Sequence, residues 1–191
     1  MNEDLKRAYE RFEKARGDLL AAVKAQGPET VNEYTFKATD GSDVMLSELF
    51  GDKDDLIVVH NMGKSCPYCT LWADGFIGVA DHLGNRAAFV LTSPDEPETL
   101  RQFADGRGWK FRTLSTQGST FARDMGYEAE PGKPLPGVSA FRREPGGTIV
   151  RTGHSPFGPG DLYCGVWHLL DLLKDGAAGW EPKYSYPTVP V

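Results

Sequence analysis

Apolar positions along the chain change their spacing several times, and each spacing predicts a different kind of element. Between residues 3 and 25, apolar side chains recur every three or four positions with charges between them, which predicts one long amphipathic helix. Residues 70–83 and 162–173 show the same helical spacing. Continuous apolar runs at residues 56–60 and 87–91 have the length of a strand and predict two buried strands.

Glycine and proline mark the boundaries of the remaining elements. A β-hairpin is predicted where residues 138–142 and 148–152 flank the turn at residues 144–147. Residues 128–137 contain three prolines and two glycines, so we expect a loop there. Shorter elements are expected as strands at residues 34–38 and 111–114, a helix ending near residue 107 and a helical turn at residues 120–125.

Composition and charge narrow the class of protein. Hydrophobic residues make up 40% and charged residues 25% of the 191 positions, which is usual for a soluble globular domain. The net charge of −6 argues against nucleic acid as a partner, because phosphate binding requires a basic face. No apolar run approaches the ~20 residues of a membrane helix, and residues 1–20 lack the apolar core of a signal peptide. We therefore expect a cytoplasmic protein with no membrane partner.

Two of the three cysteines stand close together in Cys66-Pro67-Tyr68-Cys69. The motif follows a predicted strand and opens the helix at residues 70–83, so Cys66 should lie at a helix N-terminus, where free N–H groups and a partial positive charge favour a thiolate. Pro67 suits the first helical position because it lacks an N–H group. Cys69 lies three residues on and should face Cys66. We predict that Cys66 attacks a disulfide and that Cys69 resolves the mixed disulfide, without a cofactor or a metal.

The order of elements resembles that of thioredoxins. It predicts an α/β, thioredoxin-like fold of three layers, in which a central mixed β-sheet has helices on both faces. We assign residues 1–30 to an N-terminal helical extension, residues 31–175 to the thioredoxin-like domain and residues 176–191 to a C-terminal tail. We expect the extension to pack on the domain; the alternative is a dimerisation arm, which together with the tail allows a homodimer.

A disulfide of a protein or of a small thiol is the expected substrate, and the reducing partner is left open. Trp72 should lie near the site, either in the core or as a wall of the substrate cleft. Thioredoxins carry a cis-proline opposite the Cys loop, and the matching position here is either Pro136 or Val138. The predicted substrate-binding residues are Pro67, Tyr68, Trp72, Pro136, Gly137 and Val138.

Three segments resemble known families more specifically. Residues 43–50 are similar to the V-x-L-S-x-L-F segment of peroxiredoxins and related thioredoxin-fold proteins. Residues 66–76 are similar to the C-P-x-C-x-x-W-A-D-x-F motif of a bacterial thioredoxin-like family catalogued as domain of unknown function 899, and residues 136–141 to its P-G-x-S-x-F motif. The resemblance spans roughly residues 34–174 and implies a thioredoxin fold, but little about the substrate.

A thiol peroxidase is the first alternative function. Peroxiredoxins also place a Cys-Pro pair at the equivalent helix start, and Cys66-Pro67 matches it. Those enzymes have Thr or Ser three residues before the cysteine, whereas this chain has Gly63. They also use an arginine, for which Arg123 and Arg142 are the candidates.

A metal site and a non-catalytic binding module also compete with the redox function. A closed zinc site needs four ligands, but the chain has no second close pair to join the Cys66–Cys69 motif. Cys164 and His168 lie four residues apart on one helical face, although a packed Cys is the simpler interpretation. A binding module would use the cleft beside Tyr68 and Trp72 without redox chemistry.

Overall fold

The computed structural model describes residues 1–187. Its helices are α1 (Glu3–Ala25), α2 (Pro67–Phe76), α3 (Ala80–Arg86), α4 (Pro97–Arg107), α5 (Phe121–Asp124) and α6 (Gly165–Leu170), with a 3₁₀ turn at Leu46–Phe50. Its strands are β1 (Glu29–Thr30), β2 (Thr35–Ala38), β3 (Asp43–Met45), β4 (Asp55–His60), β5 (Ala88–Ser93), β6 (Arg112–Ser115), β7 (Glu128–Glu130), β8 (Lys133–Pro134), β9 (Gly137–Arg143) and β10 (Ile149–Pro156).

Eight of the strands form one mixed sheet in the order β1-β10-β9-β4-β5-β6-β2-β3. Strands β4, β5 and β6 are parallel, and β9 runs antiparallel to β4 on its other side. The hairpin predicted from the turn at residues 144–147 is present as β9 and β10. Parallel strands end at the same edge of a sheet, so the loops after β4 and β5 are neighbours.

The sheet carries a hydrophobic core on each face. Successive side chains of a strand point to opposite faces. In β4, Leu56 and Val58 accordingly join one cluster, with Phe121 and Phe141, whereas Val59 joins another. The second cluster includes Ala73 of α2 and Ala104 of α4, so these helices cover that face. The predicted three-layer α/β fold is therefore confirmed.

The redox-motif helix is shorter than its pattern predicts. The spacing predicts one helix over residues 70–83, but α2 ends at Phe76 and α3 begins only at Ala80. Gly75 is the last residue but one of α2, and Gly78 lies within the break. Glycine loses more conformational freedom in a helix than other residues, which favours the interruption here.

The expectation that residues 128–137 form a loop is also wrong in part. Strands β7 and β8 pair within it, around a turn in which Gly132 has φ 77°. Pro134 is accommodated because a two-stranded ribbon consists of edge strands, where a missing N–H group need not break a ladder. The backbone N–H of Leu135 also donates to the carbonyl of Tyr127 at 2.8 Å.

The final helix differs most from the prediction. Helical spacing predicts residues 162–173, with Leu169 and Leu173 on one face, but α6 covers only Gly165–Leu170. Leu169 is 67% exposed and Leu173 58% exposed, whereas Trp167 is buried. The preceding residues are held in a turn by a side chain that the spacing does not reveal, Asp161, which accepts the backbone N–H groups of Tyr163 and Cys164.

The N-terminal helix has the predicted bounds. Asn2 caps α1 by accepting the backbone N–H of Leu5 at 2.8 Å. None of its residues is buried, and its large apolar side chains are about half exposed. The strand β1 that follows pairs with β10, so the large sheet begins at residue 29, just before the proposed boundary at residue 30. Within the described part of the chain, no helix combines the length and apolar character needed to span a membrane.

The C-terminal tail packs on its own chain. It has no helix or strand from residue 176 to residue 187, and residues 188–191 lie outside the described residues. The ring of Trp180 meets the ring of Trp167 edge-on, with centroids 5.6 Å apart. Arg107 donates to the carbonyl of Tyr184 at 2.6 Å. These contacts attach the tail to the same side of the domain as α4 and α6.

Candidate functional site

Cys66 is the N-cap of α2. Its backbone is extended (φ −102°, ψ 106°), and Pro67 is the first helical residue. The Cys66 sulfur accepts a hydrogen bond from the backbone N–H of Cys69 at 3.1 Å. It thereby satisfies one of the N–H groups that a helix start leaves without a partner.

The two thiols of the motif have opposite electrostatic environments. A hydrogen bond from the Cys69 thiol lowers the pKa of Cys66 to about 6; the backbone N–H groups of Cys69 and Tyr68 act in the same direction, and burial opposes them. The same hydrogen bond and the burial of Cys69 raise the pKa of the Cys69 thiol. At neutral pH the pair therefore holds a thiolate at Cys66 and a thiol at Cys69.

The loop between β4 and α2 is fixed by the loop that follows β5. Asp95 accepts hydrogen bonds from the backbone N–H of Lys64 at 2.7 Å and from the hydroxyl of Ser93 at 2.8 Å. Gly63 has φ 99°, a conformation that favours glycine, and a Cβ there would lie 3.2 Å from a carboxylate oxygen of Asp95. This packing gives a structural reason for glycine three residues before Cys66.

An apolar cavity of about 310 Å³ opens beside both cysteines. Its wall includes the aromatic side chains of Tyr68, Trp72 and Phe157, and the Cys66 thiolate is the one charged side chain among its described lining residues. Trp72 is both core and wall, since it is 4% exposed and also borders the cavity. Three of the predicted substrate-binding residues, Tyr68, Trp72 and Pro136, lie on this wall.

Asp161 connects two walls of this apolar cavity. One carboxylate oxygen accepts the indole N–H of Trp72 and the backbone N–H of Gly158, both at 2.8 Å. The other accepts the backbone N–H groups of Tyr163 at 2.7 Å and Cys164 at 3.1 Å. Asp161 and Phe157 were not predicted; the only sequence signal for Asp161 is its position directly after Gly-Pro-Gly, where a loop has to close.

A polar cleft of about 820 Å³ also borders Cys66. Hydroxyl and amide side chains from the loops after β5 and β6 line it, together with the charged residues Asp95, Arg123 and Glu128. Four residues line both cavities: His60, Asn61, Met62 and Cys66. The Cys66 thiol therefore stands between an apolar space and a polar one.

His60 forms part of the floor between the two cavities. It is 3% exposed and stacks on the ring of Tyr127, with centroids 3.8 Å apart. Its Nε2 lies 3.0 Å from the hydroxyl of Ser139, and its buried Nδ1 has no partner among the described residues. Burial, with smaller contributions from Arg151 and His154, lowers the pKa of His60 to about 3. The ring is therefore uncharged at neutral pH.

The segment opposite the Cys loop differs from the expectation in one respect. Residues 135–138 contain no cis peptide bond, nor does the rest of the described chain, so neither Pro136 nor Val138 marks a cis-proline. Gly137 and Val138 lie within β9 and pair with β4 and β10 on either side. Gly137 packs so closely against the Tyr127 ring that no Cβ fits there.

The structure separates the remaining candidate residues. Arg123 lines the polar cleft with Cys66, whereas Arg142 binds Asp55 at the opposite end of β4, 3.1 Å away. His168 Nε2 lies 2.7 Å from the carbonyl oxygen of Asp161, and Cys164 is buried. Among residues 1–187, no group of three or more His, Cys, Asp or Glu is arranged to hold a metal ion.

A comparison with known families shows where this chain belongs. The family model described as "Bacterial protein of unknown function (DUF899)" matches residues 2–186. The chain belongs to this family. The resemblance in residues 66–76 and 136–141 is thus confirmed, and the match also includes α1 and most of the tail of this DUF899 protein.

Individual relatives of this DUF899 protein are distant. A chloroplastic peroxiredoxin Q of Gentiana triflora is 27% identical over 128 residues, which are 66% of this chain and 58% of that protein. The chain thus spans less than two thirds of the length of this curated relative.

Two solved structures confirm the fold. The peroxidoxin BcpB of Mycobacterium tuberculosis has a TM-score of 0.53 at 24% identity, over 68% of this chain and 84% of that one. The hypothetical protein SMc02350 of Sinorhizobium meliloti has a TM-score of 0.50 at 14% identity, over 83% of this chain and 87% of that one.

Proposed function

We propose that this protein catalyses thiol–disulfide exchange with Cys66 as the nucleophile and Cys69 as the resolving thiol. One observation carries the proposal: within a single motif at a helix start, the pKa of Cys66 is lowered and that of Cys69 is raised. Such a split provides a nucleophilic thiolate beside a thiol that holds its proton until the second step. The likeness to peroxiredoxin Q supports a redox role for these thiols in general.

The proposed reaction has two exchange steps. The Cys66 thiolate attacks one sulfur of the substrate disulfide, the S–S bond breaks, and the other sulfur leaves as a thiolate. Cys69 then loses its proton and attacks the Cys66 sulfur, which releases the second substrate thiol. The products are a Cys66–Cys69 disulfide and two substrate thiols, and an external dithiol returns the protein to its reduced state.

Within this proposal, three of the six predicted substrate-binding residues contact the substrate and the other three act indirectly. Tyr68, Trp72 and Pro136 would contact the substrate from the wall of the apolar cavity. Pro67 would act by shaping the helix start at Cys66. Gly137 and Val138 would act indirectly, by holding the strand that follows Pro136 in place.

The reduction potential of the Cys66–Cys69 pair tests the proposal most directly. Protein carrying Cys164→Ser is equilibrated in graded thiol–disulfide buffers, alkylated and analysed by mass spectrometry. We expect reversible formation of one intramolecular disulfide at a potential between about −120 and −270 mV. A pair that stays reduced under oxidising buffer would rule out the proposed exchange cycle.

A thiol peroxidase is the second candidate function. The likeness to peroxiredoxin Q and the presence of Arg123 in the cleft with Cys66 favour it. Gly63 argues against it, because no hydroxyl stands where peroxiredoxins hold one. If the protein is a thiol peroxidase, hydrogen peroxide should convert Cys66 of a Cys69→Ser variant to a sulfenic acid within seconds, at a rate far above that of a free thiol. A non-catalytic module using the same apolar cavity would show neither reaction.

We also propose that two copies of the chain associate through α1. Large apolar side chains of α1 are half exposed, and they share a groove of about 730 Å³ with residues 162–171, which expose Leu162 and Tyr163. The groove runs along a 23-residue helix that buries none of its residues within one copy. Light scattering should give a dimer mass, and the double variant Leu5→Ser/Phe12→Ser should give a monomer. A wild-type monomer at high concentration would contradict the assignment.

A further inference from the structure

The position of Cys66 between two unlike cavities suggests which disulfides fit the site. We infer that the substrate is a low-molecular-weight disulfide that carries an uncharged aromatic or branched aliphatic group on one sulfur and a polar group on the other. The inference rests on the proposed exchange function and specifies its substrate class. The apolar group would occupy the cavity beside Trp72, and the polar group the cleft beside Arg123.

The size and lining of the apolar cavity define the first group. Its volume of about 310 Å³ is roughly twice that of the ~150 Å³ engineered cavity that binds benzene, so it holds one to two rings. Apart from the Cys66 thiolate, no charged side chain among the described residues lines it, and the imidazole of His60 is neutral. A charged group would lose its hydration there, and an anion would also face the Cys66 thiolate, whereas an uncharged ring gains from burial.

The lining of the polar cleft defines the second group. Its loops present hydroxyl and amide side chains together with one cation, Arg123, and two carboxylates, Asp95 and Glu128. Arg123 is 55% exposed and its Nε lies 3.3 Å from a Glu128 oxygen, so it stays accessible to a hydrogen-bonding substituent. A disulfide that reacts with Cys66 can reach both spaces, because Cys66 lines each of them.

The main chain opposite Cys66 argues against an extended polypeptide as substrate. A peptide would need free N–H and C=O groups to pair with. Here the N–H of Leu135 donates to Tyr127 at 2.8 Å, and the carbonyl of Pro136 accepts from Phe157 at 3.0 Å. Gly137 and Val138 are flanked by strands on both sides. Residues 135–138 therefore offer no open sheet edge, which favours a small molecule over a protein strand.

The test compares two disulfides of similar intrinsic reactivity. Reduced full-length protein reacts in a single turnover with benzyl 2-hydroxyethyl disulfide or with bis(2-hydroxyethyl) disulfide, and each rate constant is divided by that for dithiothreitol. We expect the normalised rate constant to be at least about tenfold larger for the benzyl compound, since one methylene in an apolar pocket already gives about tenfold or more. Gly158→Leu, which fills the cavity, should reduce this preference to a few-fold. Gly84→Leu, the same change on the exposed α3, should retain it.

A second measurement examines the cavity without any disulfide. Benzyl alcohol should slow alkylation of Cys66 by iodoacetamide, whereas ethylene glycol should not. Two outcomes would overturn the inference and leave the exchange function intact. In the first, the protein reacts with both disulfides at the same normalised rate constant, and both reactions are faster than with a free thiol. In the second, the protein reduces insulin disulfides faster than the benzyl compound. If neither the small disulfides nor insulin react faster with the protein than with a free thiol, the exchange function fails. In that case, protection by benzyl alcohol would still support the apolar subsite, and its absence would overturn it too.

Discussion

Cys66 and Cys164 occupy the same position in two different helices, yet their thiols differ. Each is the N-cap residue, with similar extended backbone angles: φ −102° and ψ 106° at Cys66, φ −124° and ψ 103° at Cys164. Hydrogen bonds lower the pKa of Cys66 to about 6, whereas burial raises the pKa of Cys164. A helix start alone therefore does not produce a reactive thiolate in this protein.

The difference lies in the groups that surround each thiol. At α2 the Cys66 sulfur itself accepts the N–H of Cys69. At the start of α6, Asp161 accepts the N–H groups of Tyr163 and Cys164, and the Cys164 side chain makes no capping hydrogen bond. The negative charge of Asp161 also raises the pKa of Cys164 to a smaller extent than burial does. Asp161 thus places a carboxylate charge beside Cys164, whereas the Cys66 thiolate receives a hydrogen bond from the Cys69 thiol.

Replacing each N-cap cysteine by serine should give the largest difference between Cys66 and Cys164, measured as disulfide-exchange activity. Cys66→Ser should reduce disulfide exchange by at least about 10³-fold, because it removes the nucleophile, while the melting temperature changes little, since serine is a good N-cap. Cys164→Ser should retain activity. An active Cys66→Ser protein would refute the mechanism.

The second-largest difference between Cys66 and Cys164 should be the pH dependence of their alkylation. The Cys66 rate constant should rise with pH, reach half its maximum near pH 6 and level off above, because only the thiolate reacts and its pKa is about 6. At pH 6.5 we expect Cys66 to be modified about 100-fold faster than Cys164, whose raised pKa keeps it protonated. Peptide mass spectrometry of iodoacetamide time courses measures both, and coincident profiles would contradict the comparison.

Cys69→Ala tests the hydrogen bond that accounts for most of the difference. Loss of the thiol donor should raise the alkylation midpoint of Cys66 by about 1–2 pH units, the range expected for one hydrogen bond to a charged group. Cys69→Ser, which keeps a hydroxyl donor, should shift it less. A midpoint that stays near pH 6 in the alanine variant would assign the low pKa to the helix backbone instead.

Of these variants, Asp161→Asn should change the reactivity of the two thiols least. Removing the carboxylate charge should lower the pKa of Cys164 and raise its alkylation rate a few-fold, with the Cys66 midpoint unchanged. The amide NH2 group replaces one oxygen that accepts two N–H groups, so two hydrogen bonds are lost and we expect a loss of stability of about 2–3 kcal/mol. A shift of the Cys66 midpoint as large as that of Cys164 would show that the two helix starts are not independent.

Local sequence signals account for the parts that were predicted correctly. The buried strand β4 follows from a continuous apolar run, and the start of α2 follows from Cys-Pro directly after that strand's loop. The position of the cysteine motif, after a buried strand and at a helix start, could therefore be predicted from the local sequence. The roles assigned to Pro67, Tyr68 and the other surrounding residues stay predictions.

Remote contacts account for most of the differences. The bounds of α6 depend on Asp161, whose side chain spans from Trp72 to Tyr163, and helical spacing carries no information about such a bond. Phe157 borders the apolar cavity only because β10 brings its loop beside α2. The Gly63 conformation likewise depends on Asp95, 32 positions further along the chain.

The hydrogen bond from Cys69 N–H to the Cys66 sulfur has a thermodynamic consequence for the redox couple. The interactions that stabilise the thiolate stabilise the reduced protein as a whole, and a disulfide sulfur, being uncharged, forfeits most of them. Oxidation would then remove the anion from the positive end of α2. By the same thermodynamic cycle, the reduced protein should unfold at a higher temperature than the oxidised one.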